Sequence, residues 1–394
     1  MRILLANEAR HGGGGVETYL ASLVPQLEAR GHAVALLYAN ASAQTGPTRI
    51  VTRDAWSVAD EGLDGAIEHV RAWRPDVCFS HNMRLLEVDE RLCAGWPTFK
   101  MMHGYFGACV SGHKAFSFPA REPCPRVCGP GCLVYYLPRR CGHLRPDVMM
   151  AQYSWARRQQ RLFTRYAGIV VGSDHMRREY LRYAIAPAKL HTIPLFAARD
   201  ARPATASSSP IDVLFVGRMT PLKGGDMLVR AAHHAAGVLK RPLHIVLAGD
   251  GPERAQLERL AATMGASGLV AAEFPGWVDA SARAALLSRA SLVAIPSIWP
   301  EPFGLVGLEA AQFGVPAAAF DVGGIGEWLT DGVNGRLADL SGGAAALGDA
   351  IAAILGDAAT WARLSAGARA AAERLSADAH VATLQDLLIG ARAA

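Results

Sequence analysis

Short apolar runs alternate with longer amphipathic stretches from the first residues onward. Arg2–Ala6 is a brief apolar run and predicts a strand. Val16–Ala29 repeats its apolar positions with a helical period, and Gly31 stands where a helix C-terminus belongs. His32–Tyr38 predicts the next strand. A helix over Ala59–Trp73 then leads through Pro75 to a strand at Asp76–Ser80, and Pro97–Met102 adds another strand-like run. Strands alternating with helices in this way imply parallel sheets covered on both faces.

The rhythm breaks at Ala197–Pro210, which is rich in Ala, Arg, Ser and Pro and has no period. It restarts with a strand at Asp212–Val216 and a helix at Gly225–Leu239, then a strand at His244–Ala248 and a helix at Glu253–Met264. Further on come a strand over Val270–Phe274, a helix over Ser281–Ser288 and strands at Leu292–Ile295 and Ala317–Phe320. Two doubly wound α/β domains joined by a linker follow from this pattern. The expected division is residues 1–200, a linker at 201–210, a second domain at 211–375 and a C-terminal helix at 376–394 that packs back on the first domain. Ligands of such sheets bind beyond the carboxyl ends of the strands, so two facing domains place the site in the cleft between them.

At 394 residues, half of them hydrophobic, the chain has ample material for two cores. It has no run of 18 apolar residues, and its N-terminus turns polar too soon for a secretory signal. The expected location is cytoplasmic. Charge is uneven: residues 1–200 hold 25 Lys and Arg against 17 Asp and Glu, and 15 against 5 of these fall in 101–200. A basic solvated face explains this, as does a surface for an acidic acceptor or for anionic lipid at the inner face of a membrane. No motif for nucleic acid accompanies it. Arg157, Arg158, Arg161 and Arg165 share one face of a helix expected over Trp155–Tyr166.

The candidate chemistry is densest at Glu301-Pro302-Phe303-Gly304-Leu305-Val306-Gly307-Leu308-Glu309. A loop carboxylate and a helix carboxylate flank one helix N-terminus, whose N–H groups and partial positive charge suit an anion such as phosphate. Sugar hydroxyls, a diphosphate and a ribose together would use all of these groups. Read alone, Glu301 is equally a charge partner of the helix end and Glu309 a solvated carboxylate. Upstream, Gly217-Arg218-Met219-Thr220-Pro221-Leu222-Lys223-Gly224-Gly225 sets a planar cationic fork and a point charge before a helix. That pair suits a diphosphate, although a basic turn is the plainer reading.

With these motifs in order, the chain resembles the retaining glycosyltransferases of family four, which have the GT-B fold of two Rossmann-like domains facing a central cleft. Gly13-Gly14-Gly15-Val16-Glu17 is similar to the family's N-terminal glycine loop. Val246–Pro252, Phe274–Val278 and Phe320–Glu327 are similar to three later segments. The resemblance implies that Arg218 and Lys223 neutralise the donor diphosphate as the glycosidic bond breaks. It implies that Glu301 binds sugar hydroxyls and Glu309 the ribose. Gly217 and the backbone of Phe303, Gly304 and Leu305 then meet phosphate or sugar, and Val278 meets the base. His103 matches a first-domain histidine near the donor sugar, and Gly14 and Gly15 allow close approach of a ligand.

The implied reaction moves a hexose-type sugar from a nucleotide-diphosphate sugar, with a uracil nucleotide as the default, to an acceptor in glycan, polysaccharide or glycolipid assembly. It needs no cofactor for the chemistry. Rival readings are an epimerase or a phosphorylase on the same fold, or a non-catalytic sugar-binding protein. An insertion at about 104–145 holds five of the seven cysteines. Within the resemblance, Cys109, Cys124, Cys132 and Cys141 match a subset of the family, with Cys128 left over. A structural zinc site there, reduced thiols and disulfides all remain open.

Overall fold

A computed structural model describes residues 1–44, 46–197 and 211–390. The linker expected at 201–210 lies outside the described residues. The chain divides into two compact units, and the division is not one cut near residue 200. The first comprises Met1–Lys114, Pro125–Ala198 and Ala377–Ala394, and the second comprises Ala115–Cys124 and Arg199–Ser376.

In the first unit, seven parallel strands lie in the order Leu190–Thr192, Gly168–Val171, Thr98–Met102, Val77–Ser80, Arg2–Asn7, Ala33–Tyr38 and Asp54–Ser57. The order reverses between Arg2–Asn7 and Val77–Ser80. Strands buried on both faces must be apolar throughout, which is why Ile3–Ala6 and Val34–Leu37 read as unbroken runs. The helix Val58–Trp73 begins at Ser57, whose hydroxyl accepts the Asp60 N–H at 3.2 Å. The C-terminal helix Ala377–Gly390 packs on the helix Gly15–Ala29, where Arg30 meets Asp378 at 2.9 Å.

A buried polar network lies beneath this sheet. Lys100 Nζ meets Asp89 Oδ2 at 2.7 Å and donates to Ser80 Oγ at 3.0 Å. Tyr166 donates to the same Asp89 oxygen at 2.7 Å, and Ser80 donates to the other at 2.5 Å. A buried charge pair is tolerable only when its remaining donors and acceptors are met in this way.

In the second unit, six parallel strands run Val270–Gly276, Leu243–Ala248, Ile211–Val216, Ala290–Ile295, Ala317–Phe320 and Gly335–Ala338. In chain order this is the 3-2-1-4-5-6 arrangement of a dinucleotide-binding sheet. Its reversal lies between Ile211–Val216 and Ala290–Ile295. The loops leaving those two strands are the ones that carry Lys223 and Glu301.

Two sequence expectations change here. The basic helix spans Pro146–Leu162, so Arg165 falls beyond its end. Arg158 is taken up by Glu87 and Glu90 of the helix Leu86–Gly95, at 2.8 and 3.3 Å, and Arg165 donates to the Glu90 carbonyl. Half of the supposed basic face therefore serves helix packing. The cysteine-rich insertion carries regular structure of its own. It contains an antiparallel pair, Ala115–Phe116 with Glu122–Pro123, and a short helix, Gly131–Tyr135.

Candidate active site

The site of the second unit grows from two strand ends. After Val216 the chain runs through Gly217, whose N–H donates to the Ala248 carbonyl at 2.9 Å, to the exposed Arg218. A single helical turn at Pro221–Lys223 follows, and Gly224 then enters the helix Gly225–Leu239 at φ +69°. A side chain at Gly224 would need that left-handed backbone and would overlap the Pro296 carbonyl. The close approach of the two loops is thus written into one glycine.

Across the loop junction, Lys223 Nζ lies 2.6 Å from Glu301 Oε1. The same carboxylate oxygen accepts the Ser297 hydroxyl at 2.5 Å. Lys223 also sits over the Trp299 ring, 5.2 Å from its centroid. Glu301 is 5% exposed, whereas the lysine side chain keeps 30% of its surface open. The late loop fixes the glutamate from behind. Gly324 N–H donates to the Glu301 carbonyl at 2.6 Å, and Gly323 at φ +63° leaves no room for a Cβ against the Glu301 backbone.

Gly304 caps the helix Leu305–Gln312, and the indole N–H of Trp328 donates to the Phe303 carbonyl at 2.7 Å. That holds the Phe303–Leu305 turn in place, with the helix N–H groups at its end. Glu309, one turn further along, is buried and lies 3.2 Å from the Arg283 guanidinium. Arg283 comes from the helix Ala280–Arg289, which Asp279 caps just after Val278. Lys223, Glu301, the Phe303–Leu305 turn and Glu309 are therefore linked within one unit.

His103, Gly14 and Gly15 belong to the first unit; His103 directly follows the strand Thr98–Met102, and Gly14 and Gly15 begin the helix Gly15–Ala29. His103 Nε2 lies within hydrogen-bond distance of His81 Nδ1, at 3.1 Å, and the Tyr19 ring lies edge-on at 5.6 Å. Tyr19 in turn meets His380 Nε2 at 2.8 Å, while His380 Nδ1 donates to the Pro194 carbonyl at 2.7 Å. His380 must then accept the tyrosine proton through Nε2. Burial, with the nearby Lys100 and His380, holds His103 down to about 3, and burial holds His380 down to about 4. His81 is pushed well below the usual range, first by burial and then by His103. All three are neutral at pH 7.

Sequence reasoning gave Ser297, Trp299, Arg283, His81, Tyr19 and His380 no role. His81 carried a signal, since it directly follows a strand. Ser297 is a near neighbour of Glu301, while Trp299 and Arg283 in the second unit, and Tyr19 and His380 around His103 in the first, meet their partners through contacts that no local pattern encodes.

Of the readings left open for the cysteines, the structural zinc site is the one the geometry does not support. Among the described residues, no three His, Cys, Asp or Glu side chains are grouped to hold a metal ion, so Cys109, Cys124, Cys132 and Cys141 do not form a ligand set. Cys128, left outside that set, is a core residue. It is buried in an apolar cluster with Val110, Tyr136, Met149 and Ala156, and Cys132 packs against that cluster. A hydrogen bond with Cys128 pulls the Cys132 thiol below the usual range. Apolar packing and the buried Lys114, paired with Glu179 at 3.0 Å, hold the insertion instead.

Comparisons with known proteins agree with this architecture. Residues 13–197 match the model for Glycosyltransferase Family 4, and residues 198–371 match Glycosyl transferases group 1. The chain is 37% identical over 185 residues to a D-inositol 3-phosphate glycosyltransferase of Xylanimonas cellulosilytica, covering 45% of this chain and 42% of that protein. It thus spans less than half the length of such curated relatives. Among solved structures, Anabaena HepE in complex with UDP and glucose is similar with a TM-score of 0.69 at 19% identity, covering 99% of this chain and 100% of that one. A sucrose-phosphate synthase from Thermosynechococcus elongatus follows with a TM-score of 0.66 at 21% identity, covering 98% of each chain. At such identities the structures speak for the fold, and the two family models, end to end over residues 13–371, speak for the lineage. The chain has the GT-B fold and belongs to the family-four glycosyltransferases.

Proposed function

We propose that the chain is a retaining glycosyltransferase that moves a hexose-type sugar from a UDP-sugar to an acceptor hydroxyl. The observation that carries this reading is the Lys223–Glu301 contact of 2.6 Å at the reversal point of the second sheet. Ligands of such sheets bind at that point. A cation and a carboxylate held there, one partly open and the other buried, suit a ligand with a diphosphate next to sugar hydroxyls.

In this reading Lys223 and Arg218 take the charge that builds on the diphosphate as the glycosidic bond breaks. Electrostatic stabilisation of that kind is usually a large part of catalysis. Glu301, oriented by Ser297, accepts hydrogen bonds from the sugar. The turn at Phe303–Leu305 offers its N–H groups to sugar and phosphate, Glu309 takes the ribose and Val278 contacts the base. Retention follows if the acceptor attacks from the face the diphosphate leaves, with a departing phosphate oxygen taking the acceptor proton. The basic surplus of residues 101–200 favours an anionic acceptor. Support for uracil comes from HepE, which was solved with UDP and glucose.

A thermal-shift panel of nucleotide sugars tests this directly, because a ligand that binds only the folded state raises stability. UDP-sugars should raise the melting temperature in a dose-dependent way. A panel with no shift for any nucleotide or nucleotide sugar contradicts the reading.

A further inference from the structure

The segment Ala115–Cys124 lies early in the chain, yet it is part of the second unit. It folds as a small antiparallel pair with Ala115 opposite Pro123 and Phe116 opposite Glu122, and it buries Ala115 and Phe116. Its turn carries Arg121. The guanidinium makes a two-pronged contact with Asp226, Nη1 to Oδ1 at 2.8 Å and Nη2 to Oδ2 at 2.5 Å. Nη1 also donates to the Pro221 carbonyl at 2.9 Å. One side chain therefore grips both the turn Pro221–Lys223 and the first turn of the helix Gly225–Leu239.

Charge gives this grip its meaning. Asp226 sits at the N-terminal turn of that helix, just beyond Lys223, and Glu253 lies near both Asp226 and Arg121. Glu253 also ties the loop through its N–H, which donates to the Met219 carbonyl at 3.1 Å. Two carboxylates thus border a loop that should attract an anion. Arg121 is a planar fork of fixed charge, matched to one of them in the geometry a lysine cannot copy. With Arg121 in place, Asp226 is neutralised and the Lys223 turn is pinned. Without it, an uncompensated carboxylate faces the same loop.

We propose that Arg121 is a positioning residue for nucleotide-diphosphate binding, which fixes the Pro221–Lys223 turn and cancels the charge of Asp226. The inference rests on the donor reading above. It also gives the cysteine-rich insertion a role, as the carrier of an arginine to the phosphate loop.

The test measures UDP affinity by calorimetry for the wild-type chain, Arg121→Ala, Arg121→Gln and the double variant Arg121→Ala/Asp226→Asn. Hydrogen exchange over residues 219–226 is followed in each. Both single variants should bind UDP about tenfold more weakly, the change expected for losing one charge-assisted contact of about 1.4 kcal/mol. Exchange over 219–226 should rise, and Asp226→Asn in the double variant should recover most of the affinity. A purely structural role for Arg121 would give no such recovery. If the wild type binds UDP and the Arg121 variants bind it equally well, the inference is overturned and the donor reading stands. If the wild type binds neither UDP nor pyrophosphate, the donor reading falls and takes the inference with it.

Discussion

Each unit sets a lysine against a carboxylate, and the two pairs are built for opposite ends. In the first unit, Lys100 and Asp89 are sealed, with 4% and 0% of their side chains exposed. Ser80 and Tyr166 complete their hydrogen bonds. In the second, Glu301 is nearly as enclosed, but Lys223 keeps 30% of its side chain open. Sealing a pair makes breaking it costly, because the survivor is a buried charge without a partner. Leaving one side open lets a ligand replace part of the pairing. The comparison separates an anchor from a working group with the same chemistry.

The largest expected effect is on the anchor. Lys100→Met should cost about 3–5 kcal/mol of stability in denaturant unfolding, by stranding Asp89. Lys223→Met should cost less, because the opening that leaves 30% of Lys223 exposed lets water reach Glu301, which also keeps the Ser297 hydroxyl. Equal losses would erase the distinction between the two pairs.

Activity should show the reverse order. Lys223→Ala and Glu301→Ala should each lower sugar transfer by about 10²–10³-fold, the loss typical of removing one group that stabilises developing charge, while the fold survives. Normal transfer in both purified variants would remove the working role from this pair.

A smaller effect sharpens the contrast through pH. His103 and His380 are held to about 3 and about 4, below their ordinary 6.5. An imidazole kept neutral by the fold binds fewer protons than its unfolded counterpart. Its stability contribution is therefore whole above 6.5 and is lost progressively as the pH falls toward the folded value. Going from about pH 7.5 to about pH 5.5 should cost about 1.4 kcal/mol per such histidine. His380→Gln should flatten this slope, and an unchanged slope would place the acid sensitivity elsewhere. The smallest effect belongs to Arg91→Ala. It breaks an ion pair with Asp64 whose side chains are 47% and 83% exposed, and the cost should stay below about 1 kcal/mol.

The periodic elements were legible in the sequence because their signal is local. The helix Gly225–Leu239 and the strand Ala317–Phe320 have the bounds read from the sequence. Glu301 and Lys223 were found through their motifs, though they stand 78 positions apart. What stayed hidden is chemistry made by the topology. Tyr166 and Asp89 meet across 77 positions, and Arg121 and Asp226 across 105. The fate of the cysteines was hidden for a related reason: the resemblance alone offered a ligand set, whereas the cluster that buries Cys128 is assembled from side chains spread over residues 110–156. The basic helix was carried past its C-terminal end because the Arg and aromatic pattern continues beyond Leu162, where the chain leaves the helix for a turn.

The central claim is that Lys223 is open because it waits for a diphosphate. Calorimetric titration of UDP into the wild type and Lys223→Ala tests it with no acceptor required. The account predicts one site on the wild type and an affinity at least about tenfold lower in the variant, equivalent to 1.4 kcal/mol or more, with the unfolding midpoint little changed. Equal affinity in the two proteins would contradict it.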